Sequence, residues 1–206
     1  MAKIGTFYRD KTVFITGGTG FIGKIIIEKL LRYKIFYDHA PILAYLCNHT
    51  YTYILFRSTD VAKIYMLIRE KKGVNPEDRL AALFKSPLFE CVKKERPEVL
   101  SRVVSVTGNI EEDLLGLSAS DQARLASEVE VVFHCAATVR FDEDLSRAVR
   151  MNVGAVWGLV RLARAMTRLV SLVHVSTAYC HCQEAHIKVR KILSKLKTCH
   201  IHLVWQ

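Results

Sequence analysis

Five short runs along the chain are apolar and rich in β-branched residues: 12–16 (TVFIT), 64–68 (IYMLI), 103–107 (VVSVT), 131–135 (VVFHC) and 172–176 (LVHVS). Such runs predict strands covered on both faces, as parallel sheets require. Between them, residues 22–32, 76–85, 118–128 and 145–168 carry apolar residues three and four apart among charges, the pattern of amphipathic helices. The segment LSASD supplies a Ser or Asp cap just before QARLA. Strand and helix in alternation predict an α/β fold with a doubly wound parallel sheet. The chain shows neither an internal repeat of fixed period nor a low-complexity tract.

Glycines punctuate the first strand-to-helix turn. Thr16-Gly17-Gly18-Thr19-Gly20-Phe21-Ile22-Gly23 follows the run TVFI and precedes IIIEKLLR. Gly17 permits a tight turn, Gly20 lets backbone approach a pyrophosphate, and Gly23 lets the helix pack close to the sheet. The anion would sit on the helix N-terminus, where free N–H groups and the helix dipole favour negative charge. Gly18 through Lys24 also fits the nucleoside-triphosphate loop G-x-x-x-x-G-K, but Ile25 stands where that loop needs a hydroxyl for magnesium. A dinucleotide is the better reading, and it makes this a Rossmann-like NAD(P)-binding domain.

The end of the second strand chooses between the two dinucleotides. A carboxylate there would bind the ribose of NAD, whereas an arginine accommodates the 2′-phosphate of NADP. Here Ile68 is followed by Arg69, with Lys71 and Lys72 close behind, which favours NADPH. Gly23 and Arg69 stand 46 positions apart, however, where roughly 20 are expected. Residues 33–56 hold seven of the 19 aromatics in 24 residues, and leaving them out brings the interval to 22. We read 33–56 as an atypical aromatic insertion; an extra loop, a lid and translated non-coding sequence all fit it.

Composition adds limits. The 206 residues suffice for one domain with a core, and a formal charge of +10 favours anionic ligands or surfaces. The start MAKIGTFYRDK lacks a secretory apolar core, and no run of about 18 apolar residues occurs, so a cytosolic-facing protein is expected. Six irregularly spaced cysteines then read as reduced thiols. Cys180, His181, Cys182, Cys199, His200 and His202 match no ordinary zinc spacing, so no metal site is expected. Residues 185–206 form a basic tail, with Lys188, Arg190, Lys191, Lys195 and Lys197 set among Ile187, Val189, Ile192, Leu193 and Leu196. That pattern suits either a merely solvated end or contact with an anionic membrane surface, and without a base-reading motif no nucleic acid is expected.

Taken together, TVFITGGTGFIGK, KIYMLIREKKG, RLAALFKSPLF, VVFHCAATVRFDE, NVGAVWGLVRLA and LVHVSTAYCHC resemble the alcohol-forming fatty acyl-CoA reductases, extended members of the short-chain dehydrogenase/reductases. The resemblance covers residues 12–32 and 57–184. It implies an NAD(P)-binding domain over 1–184, incomplete at its C-terminus, with 185–206 a divergent tail. It implies NADPH-dependent reduction of a long-chain fatty acyl-CoA, through aldehyde, to a primary alcohol. It further implies a protein associated with the peroxisomal or endoplasmic reticulum membrane.

Site residues follow position by position. Thr16, Gly17, Gly20, Phe21, Ile22 and Gly23 match the phosphate turn, and Arg69 the 2′-phosphate contact. Asn109 and Ile110 stand at the adenine position, where the wider superfamily usually has an Asp; an Asn carbonyl oxygen can still accept from the adenine amine. Ala136, Ala137 and Thr138 would line the ribose and nicotinamide side. Asn152 matches the asparagine that supports a proton-relay water, and Thr177, with Ser176 the alternative, matches the hydroxyl that polarises the substrate carbonyl.

One pair is missing. The superfamily draws its proton from a Tyr with a Lys four residues later, and no Tyr here has that partner: Tyr8 is followed by Thr12, Tyr53 by Arg57, Tyr65 by Arg69 and Tyr179 by Gln183. The chain as written is therefore expected to be inactive, the alternative reading being a non-catalytic dinucleotide-binding or membrane-associated fragment.

Overall fold

A computed structural model describes residues 7–32, 60–71, 73–176 and 200–205, the last of these as backbone. Strands β1 (Thr12–Thr16), β2 (Lys63–Ile68), β3 (Val103–Thr107), β4 (Val131–His134), β5 (Ser171–Ser176) and β6 (His200–Trp205) form one sheet. Its order is β3-β2-β1-β4-β5-β6 and every pairing is parallel. This is the doubly wound order in which the crossover direction reverses beside β1, opening a crevice at the carboxyl ends of β1 and β4. The apolar runs translate directly into buried strands: all four residues of β4 are buried, and so are five of the six in β2.

Each strand sends alternate side chains to opposite layers. Val13 and Ile15 of β1 pack with Ile27, Leu30 and Leu31 of helix α1 (Phe21–Leu31), and on the same side lie Leu83 of α2 (Pro76–Phe84) and Val92 of α3 (Glu90–Glu95). Phe14 points the other way, to the layer holding Leu125 of α4 (Ala119–Glu128). The helix starts obey local chemistry. Asn75 accepts from Asp78 N–H at 2.8 Å with Pro76 next in the chain, and Ser118 accepts from Asp121 N–H at 3.1 Å, the cap expected within LSASD.

Three features depart from the sequence expectations. The helix expected over 145–168 is broken into α5 (Leu145–Val149), one π-helical turn (Arg150–Gly154) and α6 (Ala155–Ala165). Its apolar spacing runs through the π-helical turn without a break, so periodicity could not reveal it. Between β3 and α4 a short turn, Asp113–Gly116, places Leu114 at φ 46° and Leu115 at φ 63°, left-handed conformations rarely adopted by leucine. Burial of Leu115 in the core beside α6 holds that turn in place. Finally, His200–Trp205, assigned by sequence to a basic tail, pairs in register with β5 from Ser171 to Ser176. The aromatic stretch 33–56 lies outside the described residues.

Candidate nucleotide-binding site

The crevice at the carboxyl ends of β1, β2 and β4 is a cleft of ≈ 280 Å³. Its lining includes Gly17, Gly20, Arg69, Asn109, Ile110, Ala136 and Ala137, seven of the residues singled out from sequence. Steric detail explains the glycines. Gly17 has φ +72°, and a Cβ there would lie 2.6 Å from the backbone N of Ala136 and the carbonyl carbon of Cys135. Only glycine lets β4 come that close. At Gly20 a Cβ would meet just one neighbour, the Gly17 oxygen at 3.2 Å, so packing of the protein on itself gives little reason for a glycine. A Cβ at Gly23 would strike the Gly17 carbonyl and come within 2.7 Å of the Gly18 Cα. The third glycine thus lets the first turn of α1 sit close against the loop that leaves β1.

Gly20 is also the N-cap of α1, with no side-chain cap, and no acid stands in the first turn. The backbone N–H groups there remain available to an anion, with the helix dipole in favour. Phe21 is exposed, Ile22 half-buried and Gly23 buried. Thr16 is fully buried and its Oγ1 shares a 2.6 Å hydrogen bond with His134 Nδ1, which ties the start of the turn to β4. His134 is stacked on His174 of β5 with ring centroids 5.2 Å apart. Burial, helped by His174, lowers the His134 pKa to about 4, so its ring is neutral at physiological pH. The next residue, Cys135, lines the cleft, but burial pushes its thiol up to about 11. It stays protonated and is a poor nucleophile.

The far end of the cleft is basic. Arg69, Lys71 and Arg79 line it together, and Arg79 donates from Nη1 to the Arg69 carbonyl. Sequence reading passed over Arg79, which lies on α2 ten residues beyond Arg69; the fold of the β2–α2 turn brings the two together. Asn109 borders the same region with its amide already engaged: Oδ1 accepts from Glu111 N–H at 3.2 Å and Nδ2 donates to Glu112 at 3.0 Å. Both contacts order the turn after β3.

Asn152 is set by the π-helical turn so that its amide grips Thr138 twice. Oδ1 accepts from Thr138 N–H at 2.8 Å and Nδ2 donates to Thr138 O at 3.1 Å. Asn152 and Thr138 are brought together beside the cleft, and Met151, unforeseen from sequence, lines it. Ser176 ends β5 and is half-buried. Thr177 lies outside the described residues, as do Cys180, His181, Cys182 and Cys199. Among the described residues, no cluster of three or more His, Cys, Asp or Glu is placed to hold a metal, and no helix is long and apolar enough to cross a membrane.

Known proteins share this fold. The terminal reductase domain of the myxalamid biosynthetic pathway aligns at TM-score 0.59 and 28% identity, over 82% of this chain and 35% of that one. The reductase domain of a nonribosomal peptide synthetase from Mycobacterium tuberculosis aligns at TM-score 0.59 and 25% identity, over 89% of this chain and 37% of that one. In sequence, the fatty acyl-CoA reductase wat of Drosophila melanogaster is 40% identical over 184 residues, 89% of this chain and 31% of its own length. Fatty acyl-CoA reductase 1 of Xenopus laevis is 36% identical over 188 residues, 91% of this chain and 32% of its own. The chain thus spans about a third of the length of the curated relatives it matches. A family match runs over residues 15–38 and 45–200, taking in much of both stretches set apart by sequence reading. With its glycine turn and switch-point cleft inside that match, the chain belongs to the male sterility protein family of NAD(P)-binding domains.

Proposed function

We propose that this chain is the dinucleotide-binding part of a fatty acyl-CoA reductase and that it prefers NADPH. The observation that carries the reading is one cleft with an uncapped helix N-terminus at Gly20 and three cations, Arg69, Lys71 and Arg79, along its lining. The first suits a pyrophosphate and the second a 2′-phosphate. Gly17 and Gly20 give the cofactor backbone to lie against, Phe21, Ile22 and Gly23 carry N–H groups of the first helical turn, and Thr16 anchors that turn from below. Asn109 retains a second lone pair on its carbonyl oxygen for the adenine amine, with Ile110 beside it.

A bound reduced nicotinamide would supply hydride to the acyl carbonyl of a long-chain acyl-CoA, a first hydride and proton releasing the CoA thiol and leaving the aldehyde, and a second reduced cofactor and proton giving the alcohol. Ala136, Ala137 and Thr138 leave room for the nicotinamide ribose, and Asn152 holds that stretch in place through both Thr138 contacts. Thr177, or Ser176 beside it, would hydrogen-bond the carbonyl oxygen as negative charge develops. The basic residues of 185–206 give the protein a membrane-surface contact, in keeping with a substrate drawn from lipid and an association with peroxisomal or endoplasmic reticulum membranes.

The test is a fluorescence titration of the 206-residue chain with NADPH and NADH. NADPH binds more tightly, and Arg69→Ala removes most of the difference, about tenfold, by deleting a charge-assisted phosphate contact. Equal affinities in the unmutated chain overturn the preference. Acyl-CoA-dependent oxidation of NADPH is expected to be absent from this chain. No Tyr-x-x-x-Lys occurs in it, and loss of a proton donor costs about 10²–10⁴ in rate.

A further inference from the structure

Arg69 has an acidic neighbour that neither the glycine turn nor the family resemblance brought forward. Glu111 sits on the turn after β3, where its own N–H is held by Asn109 at 3.2 Å. Both of its carboxylate oxygens are gripped by Arg147 of α5, Oε1 by Nη2 at 2.9 Å and Oε2 by Nε at 3.1 Å. Oε1 also lies 3.5 Å from Arg69 Nη1. The two attachments are unequal: a two-pronged grip anchors the carboxylate on α5, and a single long contact reaches Arg69. Arg147 is itself shared, with Glu143 at 3.4 Å. Arg69, its side chain 45% exposed, keeps further N–H donors for the cleft that it lines.

We propose that Glu111 competes with the cofactor's 2′-phosphate for the guanidinium of Arg69, and that Arg147 sets the strength of that competition by holding the carboxylate back. The proposal rests on the reading of Arg69 as the 2′-phosphate contact. A phosphate arriving at Arg69 meets a fixed negative charge across the width of one guanidinium. The two anions repel, and Arg69 gives up its contact with Glu111 to turn toward the phosphate. The Arg147 hydrogen bonds hold the Glu111 carboxyl below the usual range, so this charge persists at mildly acidic pH. NADH, lacking the phosphate, is indifferent to the exchange. Glu111 is thus a positioning residue that tempers NADPH affinity and keeps the cofactor exchangeable, and the difference between the two cofactors is read partly by an acid.

Four variants of the 206-residue chain, Arg69→Ala among them, test this by fluorescence titration with NADPH and NADH, with a melting curve for each. Glu111→Gln, which keeps the volume and removes the charge, tightens NADPH about threefold to tenfold and leaves NADH within about twofold. Arg147→Gln acts in the opposite sense: it releases the carboxylate to Arg69 and weakens NADPH by a similar factor. In an Arg69→Ala background, Glu111→Gln has no effect on either cofactor. NADPH affinity unchanged or weakened in a folded Glu111→Gln protein overturns the proposal, as does equal tightening of NADH or an effect that persists without Arg69. Should Glu111→Gln not fold, Arg147→Gln decides, and NADPH affinity that it leaves unchanged or tightens overturns the proposal. If Arg69→Ala leaves the NADPH preference intact, the Arg69 reading has failed and the competition falls with it. A preference that depends on Arg69 while Glu111 is silent sinks the competition alone.

Discussion

The two ends of the same parallel strands are built on opposite principles. At the amino end every polar group named has a partner from the protein. Glu130 accepts from Lys11 Nζ at 3.0 Å and from Thr12 N–H at 3.2 Å, and Glu128 takes the Tyr65 hydroxyl at 2.7 Å and Lys63 at 3.2 Å. At the carboxyl end the helix start at Gly20 is uncapped and the cations gather along a cleft. His134 Nε2 there finds no partner among the described residues. The first end closes the sheet, and the second keeps donors for something that arrives. Stability and binding should therefore separate by position along one strand.

The sharpest break in that comparison would come from Gly20→Asp. A Cβ there meets little of the protein, so melting should hardly change, while a carboxylate on the helix N-terminus excludes the pyrophosphate and lowers NADPH affinity by at least about 100-fold. Unchanged affinity in the folded variant would mean that the glycine is structural after all. Next in size is a pH effect. His134 is neutral when folded, with its pKa lowered to about 4, and protonates near 6.5 when unfolded. The unfolded state binds the extra proton between those values, so stability is full above pH 6.5 and declines as pH falls toward 4, by about 3 kcal/mol. Denaturant melts at pH 7 and pH 4.5 measure it, and His134→Phe should flatten the slope across that window. The smallest effect belongs to the closed end. Glu130→Gln should cost about 1–2 kcal/mol through its contacts with Lys11 and Arg168 and leave NADPH affinity unchanged. A fall in affinity there would dissolve the distinction between the ends.

Sequence made the first five strands legible to within a residue, because parallel-sheet strands are written as short, mainly apolar runs rich in β-branched residues. The glycine turn was legible because its three glycines fall within seven residues between a strand run and a helix run, although what Gly17 packs against lies at the distant end of β4. What escaped depends on residues distant in the chain. Arg79 matters through its reach to the Arg69 carbonyl, and Glu111 through Arg147, 36 residues away. Asn152 was visible as a residue, but its grip on Thr138 depends on a π-helical turn that leaves the apolar period unbroken. The strand His200–Trp205 was hidden because its neighbourhood reads first as charge.

The close fit of Gly17 against β4 sets an order of events in folding. Its φ of +72° and its contact with Cys135 and Ala136, more than 110 residues further on, mean that the phosphate turn takes its final shape only when β4 docks beside β1. Thr16 and His134 make the same demand through their shared hydrogen bond. A turn that looks local in the sequence is a long-range object, assembled after the slow closure of a large loop. In a refolding experiment nucleotide binding should therefore appear after the early helices, in step with β1–β4 pairing, and the cofactor would serve as a clock for the moment at which the two halves of the sheet meet.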